Sequence, residues 1–268
     1  HWLDDDPFEK KTPPSSHDAA RDDGNWRQPH IRVVHATGSG APFVRIFGVE
    51  EQPRPIPVHT GSIWHFSRTE IGHLTQATLA LSLALAFMSV QGIFGALANP
   101  TLFIAGGIVY LVALAPAFLL HEIAHKVVAR KYGCWAEFRA SPSGLRFGVL
   151  LAAILGIVFM APGAVMVAGH TTRSQFGKIA LAGPVTNVVL WSLGLIAILL
   201  GAAEYTVGEV ILKPWLWGNA VLALFNMLPF GPLDGKKIRS WSLPVFWIWL
   251  IICVSLVWFN LTHLNSLL

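Results

Sequence analysis

The sequence predicts an all-α polytopic membrane protein, a helix bundle of about five to six transmembrane segments, with a membrane-embedded re-entrant or β-hairpin segment between them. Three observations predict it. Of 268 residues, 53% are hydrophobic and only 13% charged, about half the charged fraction of a soluble domain. Mean hydropathy is +0.54. The acids are also segregated: of 15 Asp and Glu, ten lie at or before Glu70, and only Glu122, Glu137, Glu204, Glu209 and Asp234 follow. These features exclude a wholly disordered chain, a collagen and a coiled coil. An acid left in an apolar region is a functional candidate, because burying its charge is costly.

The net charge of +4 does not point to nucleic acid. The Lys and Arg flank apolar spans, where membrane orientation accounts for them. Cys134 and Cys253 are far apart in unrelated contexts, which gives neither a disulfide framework nor a cysteine-rich zinc site.

Taken in order, residues 1–66 form a polar N-terminal segment. Residues 10–25 read as linker, and 31–35 and 43–49 as short strands of a small sheet. The membrane domain is expected over 67–268, opened by Ser67-Arg-Thr-Glu70, which resembles a helix capping box. Apolar spans follow at about 74–97, 103–120, 147–168, 179–200, 212–228 and 243–264. Each is long enough, or nearly so, to cross a bilayer.

Charge decides which spans cross. Basic clusters lie before the first span (Arg45, Arg54, Arg68), after the second (Lys126, Arg130, Lys131, Arg139, Arg146), after the third (Arg173, Lys178) and after the fifth (Lys236, Lys237, Arg239). If all six spans cross, the last cluster falls outside, against the positive-inside rule. If the third span dips in and returns, every cluster lies inside. That span carries an Ala161-Pro-Gly163 break and glycines at 148, 156 and 163, which suits a re-entrant element covered by protein. Five crossings, an internal N-terminus and an external C-terminus are expected.

The chemistry starts at His121-Glu-Ile-Ala-His125, an H-E-x-x-H pattern. On a helix, four residues turn through about 400° and rise about 6 Å, so the two imidazoles share one face. Both can bind one metal, with Glu122 beside it to hold a water. A catalytic zinc needs a third protein ligand and an open fourth position. Asp234 is the only acid after Glu209, and in the five-crossing topology it lies on the same side as His121 and His125. In the six-crossing topology it would lie about 30 Å away. Asn187 is an amide in an apolar span. It is suited either to pair substrate backbone or an oxyanion, or to bond a neighbouring helix. His30, His35, His59, His65 and His73 are too irregularly spaced to indicate a second metal site.

Three motifs in this order resemble the site-2 protease family of intramembrane zinc metalloproteases: His121-Glu-x-x-His125, Gly183-Pro-Val-Thr-Asn187, and Asn226-x-x-Pro229 leading to Leu233-Asp-Gly235. The resemblance covers about residues 70–240 and is to a prokaryotic type without a PDZ domain. It implies a zinc metalloendopeptidase with one Zn2+ per chain, held by His121, His125 and Asp234, with Glu122 as general base. Asn187 and Asn226 resemble polar residues that approach the substrate backbone. The implied partners are a lipid bilayer and a transmembrane-helix substrate, cleaved within or beside its helix, and no nucleic acid. The implied location is a prokaryotic cell membrane, with N-terminus and active site toward the cytoplasm. A membrane zinc transporter or metal-sensing protein using the same ligands is the competing reading.

Overall fold

The computed structural model describes residues 62–268, which belong to one compact unit. The strands expected at 31–35 and 43–49, and His30, His35 and His59, lie outside the described residues.

The chain is mostly helical. α1 (Arg68–Ser89) and the short α2 (Ile93–Ala98) are separated by a turn at Gln91 and Gly92, both with positive φ. The expected first span is therefore broken. α3 (Pro100–Lys131) carries the second apolar run and the H-E-x-x-H pattern on one continuous helix. β1 (Trp135–Ala140), α4 (Pro142–Leu155) and β2 (Gly163–Ala168) follow, then α5 (Arg173–Leu199), α6 (Thr206–Asn226), α7 (Asp234–Trp241), α8 (Leu243–Thr262) and the one-turn α9 (Leu264–Leu267).

Among the described residues, four helices are long and apolar enough to cross a membrane: α1, α3, α5 and α8. The sequence leads one to expect five or six. α6 has 21 residues, but Glu209 and Lys213 interrupt its apolar run. Residues 147–168 are not one spanning helix. α4 ends at Gly156, whose left-handed φ of 67° terminates the helix at no steric cost. The chain then returns as β2. β1 and β2 form a two-stranded antiparallel sheet in the register Trp135↔Ala168 to Ala140↔Gly163. This is not a simple hairpin, because α4 is inserted between the paired strands.

Much of the apolar surface faces outward, as lipid contact requires. On α8 only Phe246, Cys253 and Asn260 are buried, one residue every seventh position. This narrow seam leaves Trp247, Ile251 and Trp258 exposed. One core joins Leu74, Phe118, Phe138 and Leu145 across α1, α3, β1 and α4. A second joins Ala180, Ala223, Ile238 and Phe246 across α5 to α8.

Several polar groups buried between these helices are paired across elements, whereas Thr78 Oγ1 and Arg130 Nε have no hydrogen-bond partner among the described residues. Ser67 caps α1 through Glu70 N. The Glu70 carboxylate does not complete the capping box, however. It pairs with the buried Lys126 ammonium of α3 and accepts the backbone N–H of Phe138 in β1 at 3.1 Å. Lys126 also lies 3.7 Å from the Phe66 ring centroid. Arg130, one turn further along α3, donates to the carbonyls of Ser62, Ile63 and His65. The entry to α1, the end of α3 and the middle of β1 are thus fastened at one point.

Removing one partner of a buried ion pair strands the other. Glu70→Ala is expected to cost about 3–5 kcal/mol. A Glu70→Leu/Lys126→Met double variant should recover about half of that loss, leaving about 1–3 kcal/mol for the unpaired Phe138 N–H. Unfolding in mild detergent measures both. Equal losses in the single and double variants would show that the charge pairing is not what Glu70 contributes.

Candidate metal centre

The α3 helix sets the first two donors. His121 and His125 are four residues apart, and their Nε2 atoms lie 3.1 Å from each other. The chain then leaves the site and returns through the loop after α6. Asp234, at the first turn of α7, brings Oδ2 to 3.0 Å from His125 Nε2 and 3.4 Å from His121 Nε2. All three side chains are buried.

The Nδ1 atoms decide which lone pairs face the site. His125 Nδ1 is 2.8 Å from the carbonyl oxygen of Ile179, which can only accept, so this nitrogen donates. His121 Nδ1 is 2.6 Å from Asn187 Oδ1. The Asn187 amide cannot be reversed without loss, because its Nδ2 donates to Ala117 O at 3.2 Å and Asn219 Oδ1 at 3.0 Å. His121 Nδ1 therefore donates too. With both protons on Nδ1, both Nε2 lone pairs and a carboxylate oxygen converge on one point. Such a set is repulsive unless a cation lies between its members.

The donor set fits zinc. A tetrahedral zinc with bonds of about 2.0–2.2 Å separates its ligands by about 3.3–3.6 Å. Of the observed edges, 3.4 Å lies in this range, and 3.0 and 3.1 Å are a few tenths of an ångström shorter. The space is kept open from the opposite side by Gly183 of α5. A Cβ at this position would stand 2.5 Å from both Nε2 atoms. Two imidazoles and a carboxylate are also the N and O donors zinc takes, and three protein ligands leave a fourth position open, as catalytic sites do.

Asp234 is ionised. Burial works against its charge, but the Lys237 ammonium, 3.0 Å from Oδ1, favours the carboxylate. Glu122 is buried beside the two histidines and makes no hydrogen bond or ion pair among the described residues. It faces a cavity of about 1140 Å³ lined by α1, α3, α6 and β2 and reaching the three donors.

The structure thus brings His121, Glu122, His125 and Asp234 together. Asn226 lies on the cavity wall with its Nδ2 on Leu222 O, one helical turn back. Asn187 differs from the expectation of a substrate-facing amide. It is fully buried, and its oxygen and both amide hydrogens are engaged inside the protein. It orients His121. Asn219 continues that chain by donating to Trp215 O. Sequence reading missed Asn219, although a lone amide in an apolar span is the same signal that drew attention to Asn187. It also missed the steric role of Gly183, which entered there only as part of the Gly183-Pro-Val-Thr-Asn187 motif. Among the described residues, His65 and His73 join no second cluster of metal ligands.

The fold and site define a helical membrane protein with a zinc-metalloprotease centre of the H-E-x-x-H type. Comparison with known proteins agrees. Over 207 residues the chain is 38% identical to MJ0611 of Methanocaldococcus jannaschii, covering 75% of this chain and 97% of that protein. It is 29% identical over 150 residues to YwhC of Bacillus subtilis, covering 48% of this chain and 66% of the relative. It is 35% identical over 136 residues to Rip3 of Mycobacterium tuberculosis, covering 50% of this chain and 30% of that protein. Each of the three bears the name "putative zinc metalloprotease". No family model matches the chain, and no solved structure does. The chain belongs to the site-2 protease family of zinc metalloproteases.

Outer-sphere partners of zinc ligands typically contribute 10–100-fold in affinity. Asn187→Leu is expected to weaken zinc binding by about that factor, and Gly183→Ala by at least about tenfold. Competition with a zinc-chelating dye in detergent checks both. Wild-type affinity in Gly183→Ala would mean that α5 can withdraw from the site.

Proposed function

We propose that this protein is an intramembrane zinc endopeptidase that hydrolyses a peptide bond within or beside the transmembrane helix of a membrane-anchored substrate. The observation that carries the reading is the unpaired Glu122 carboxylate on the cavity wall, next to the three converging donors. A structural or transport site has no need of an acid held free of partners in an apolar interior.

Bound zinc supplies Lewis acidity toward the scissile carbonyl and the attacking water. Glu122 takes the proton from that water and returns it to the leaving nitrogen. His121 and His125 keep their lone pairs on the site because their Nδ1 protons are committed to Asn187 Oδ1 and Ile179 O. Asn226 is the amide placed to meet substrate backbone.

The cavity supports a long apolar substrate. On α6 it is lined from Glu209 to Asn226, a run of about 25 Å at 1.5 Å per residue. That is close to the roughly 30 Å of hydrocarbon a transmembrane helix crosses. β2 residues Gly163–Val167 also line it, and among the described residues the sheet has two strands. The second edge of β2 has no strand partner among the described residues, and its backbone groups can hold an unwound substrate as an added strand.

In this reading α6 crosses as a fifth span with α1, α3, α5 and α8. That brings the end of α6 and Asp234 back to the side where α3 ends. The positive-inside rule makes that side the cytoplasm of a prokaryotic cell. One zinc serves each chain.

The test uses purified protein in detergent with a transmembrane-helix substrate. Wild type is expected to cleave and to stop when a chelator removes zinc. Glu122→Gln should retain zinc and lose about 10²–10⁴-fold in rate. Cleavage by Glu122→Gln at the wild-type rate would refute the assigned role. Zinc flux into liposomes without cleavage would establish the transporter reading instead.

A further inference from the structure

Asp234 uses its two carboxylate oxygens differently. Oδ2 faces the Nε2 atoms of His125 and His121 at 3.0 and 3.4 Å. Oδ1 points the other way and accepts from Lys237 Nζ at 3.0 Å. Lys237 is one turn further along α7, so the helix itself delivers the ammonium to that oxygen. The pair is not an ordinary surface salt bridge, because the Asp234 side chain is only 6% exposed against 31% for Lys237. Lys237 therefore bridges a buried carboxylate and the cavity wall, which it lines with Glu122.

A short carboxylate on the first turn of an eight-residue helix has two ways to meet a cation. It can present one oxygen, or rotate to present both. No other hydrogen-bond partner restrains Oδ1 among the described residues. We infer that Lys237 is the positioning residue of the metal centre: by holding Oδ1 it fixes Asp234 as a one-oxygen ligand with Oδ2 aimed at the two imidazoles. Its positive charge also lies on the cavity side, next to the two acids of the site, and offsets the repulsion between them. Lys236, its neighbour on α7, is exposed and absent from the cavity lining, so it provides an internal control.

This inference rests on the reading of His121, His125 and Asp234 as zinc ligands. The experiment measures zinc affinity of the full chain in detergent at neutral pH by competition with a chelating dye. Circular dichroism and thermal unfolding of each metal-free variant check the fold. Lys237→Met is expected to weaken zinc binding about 10–100-fold. Lys237→Arg should restore affinity to within a few-fold, and Lys236→Met should leave it at the wild-type value. On transmembrane-helix substrate, Lys237→Met saturated with zinc should recover most of its rate with KM near wild type. If Lys237→Met binds zinc as tightly as wild type, the inference is wrong; a raised KM in that case would make Lys237 a substrate contact. His121→Ala separates the two levels. Loss of zinc in His121→Ala with normal affinity in Lys237→Met overturns only the role of Lys237. Normal affinity in His121→Ala overturns the ligand assignment beneath it.

Discussion

The close approach of α5 to α3 at Gly183 is the contact on which the rest of the structure depends. The two histidines come from one helix and the aspartate from the first turn of α7, more than a hundred residues later. They can share a cation only if α5, which lies between them in sequence, also leaves room between them in space. A glycine at position 183 does this, since any Cβ there would occupy the space before both imidazoles. Asn187, one turn further along α5, fixes the His121 ring from the same helix, and Ile179 O fixes His125 from the turn before. One face of α5 therefore supplies the space and both ring orientations.

The electrostatics follow from the apolar surroundings. A bundle in hydrocarbon gains little from sequestering apolar surface from lipid, so its specificity rests on close packing and on satisfied polar groups. The described residues show this at two points. At the end of α3, Glu70, Lys126 and Phe138 N tie α1 to α3 and β1. In the centre of the bundle, amides run from His121 through Asn187 and Asn219 to Trp215 O. Every member of the second chain has a partner. Glu122 stands out against that background, as the acid at the centre that is left without one.

The segment between α3 and α5 links fold to chemistry. β1 is anchored by Glu70 to the residue that follows His125, and β2 is paired to β1 over its whole length. The position of the cavity-lining strand is thereby tied to the zinc helix through a short rigid path. For a protease whose substrate arrives as a helix, a strand edge at a fixed distance from the metal would set which bond is presented. The long apolar cavity along α6 accommodates the remainder of the substrate in this proposal.

The sequence alone determined the membrane class, the helix bearing the histidines and the company of Asp234. These are legible because they depend on composition, on a fixed helical period and on the high cost of charge in an apolar stretch. The turn-back at 147–168 was legible in the same way, since the basic clusters fall on one side only if this run returns and Gly and Pro interrupt it. Tertiary structure alone decided the pairing of β1 with β2 across an inserted helix, the use of Glu70 by Lys126 rather than by its own cap, and the inward commitment of Asn187. It also decided that position 183 must lack a side chain and that Lys237 meets Oδ1 of Asp234. Each of these depends on which atoms meet across elements far apart in the chain. A residue's type states what partner it needs, and only the packing of the helices determines which partner is within reach.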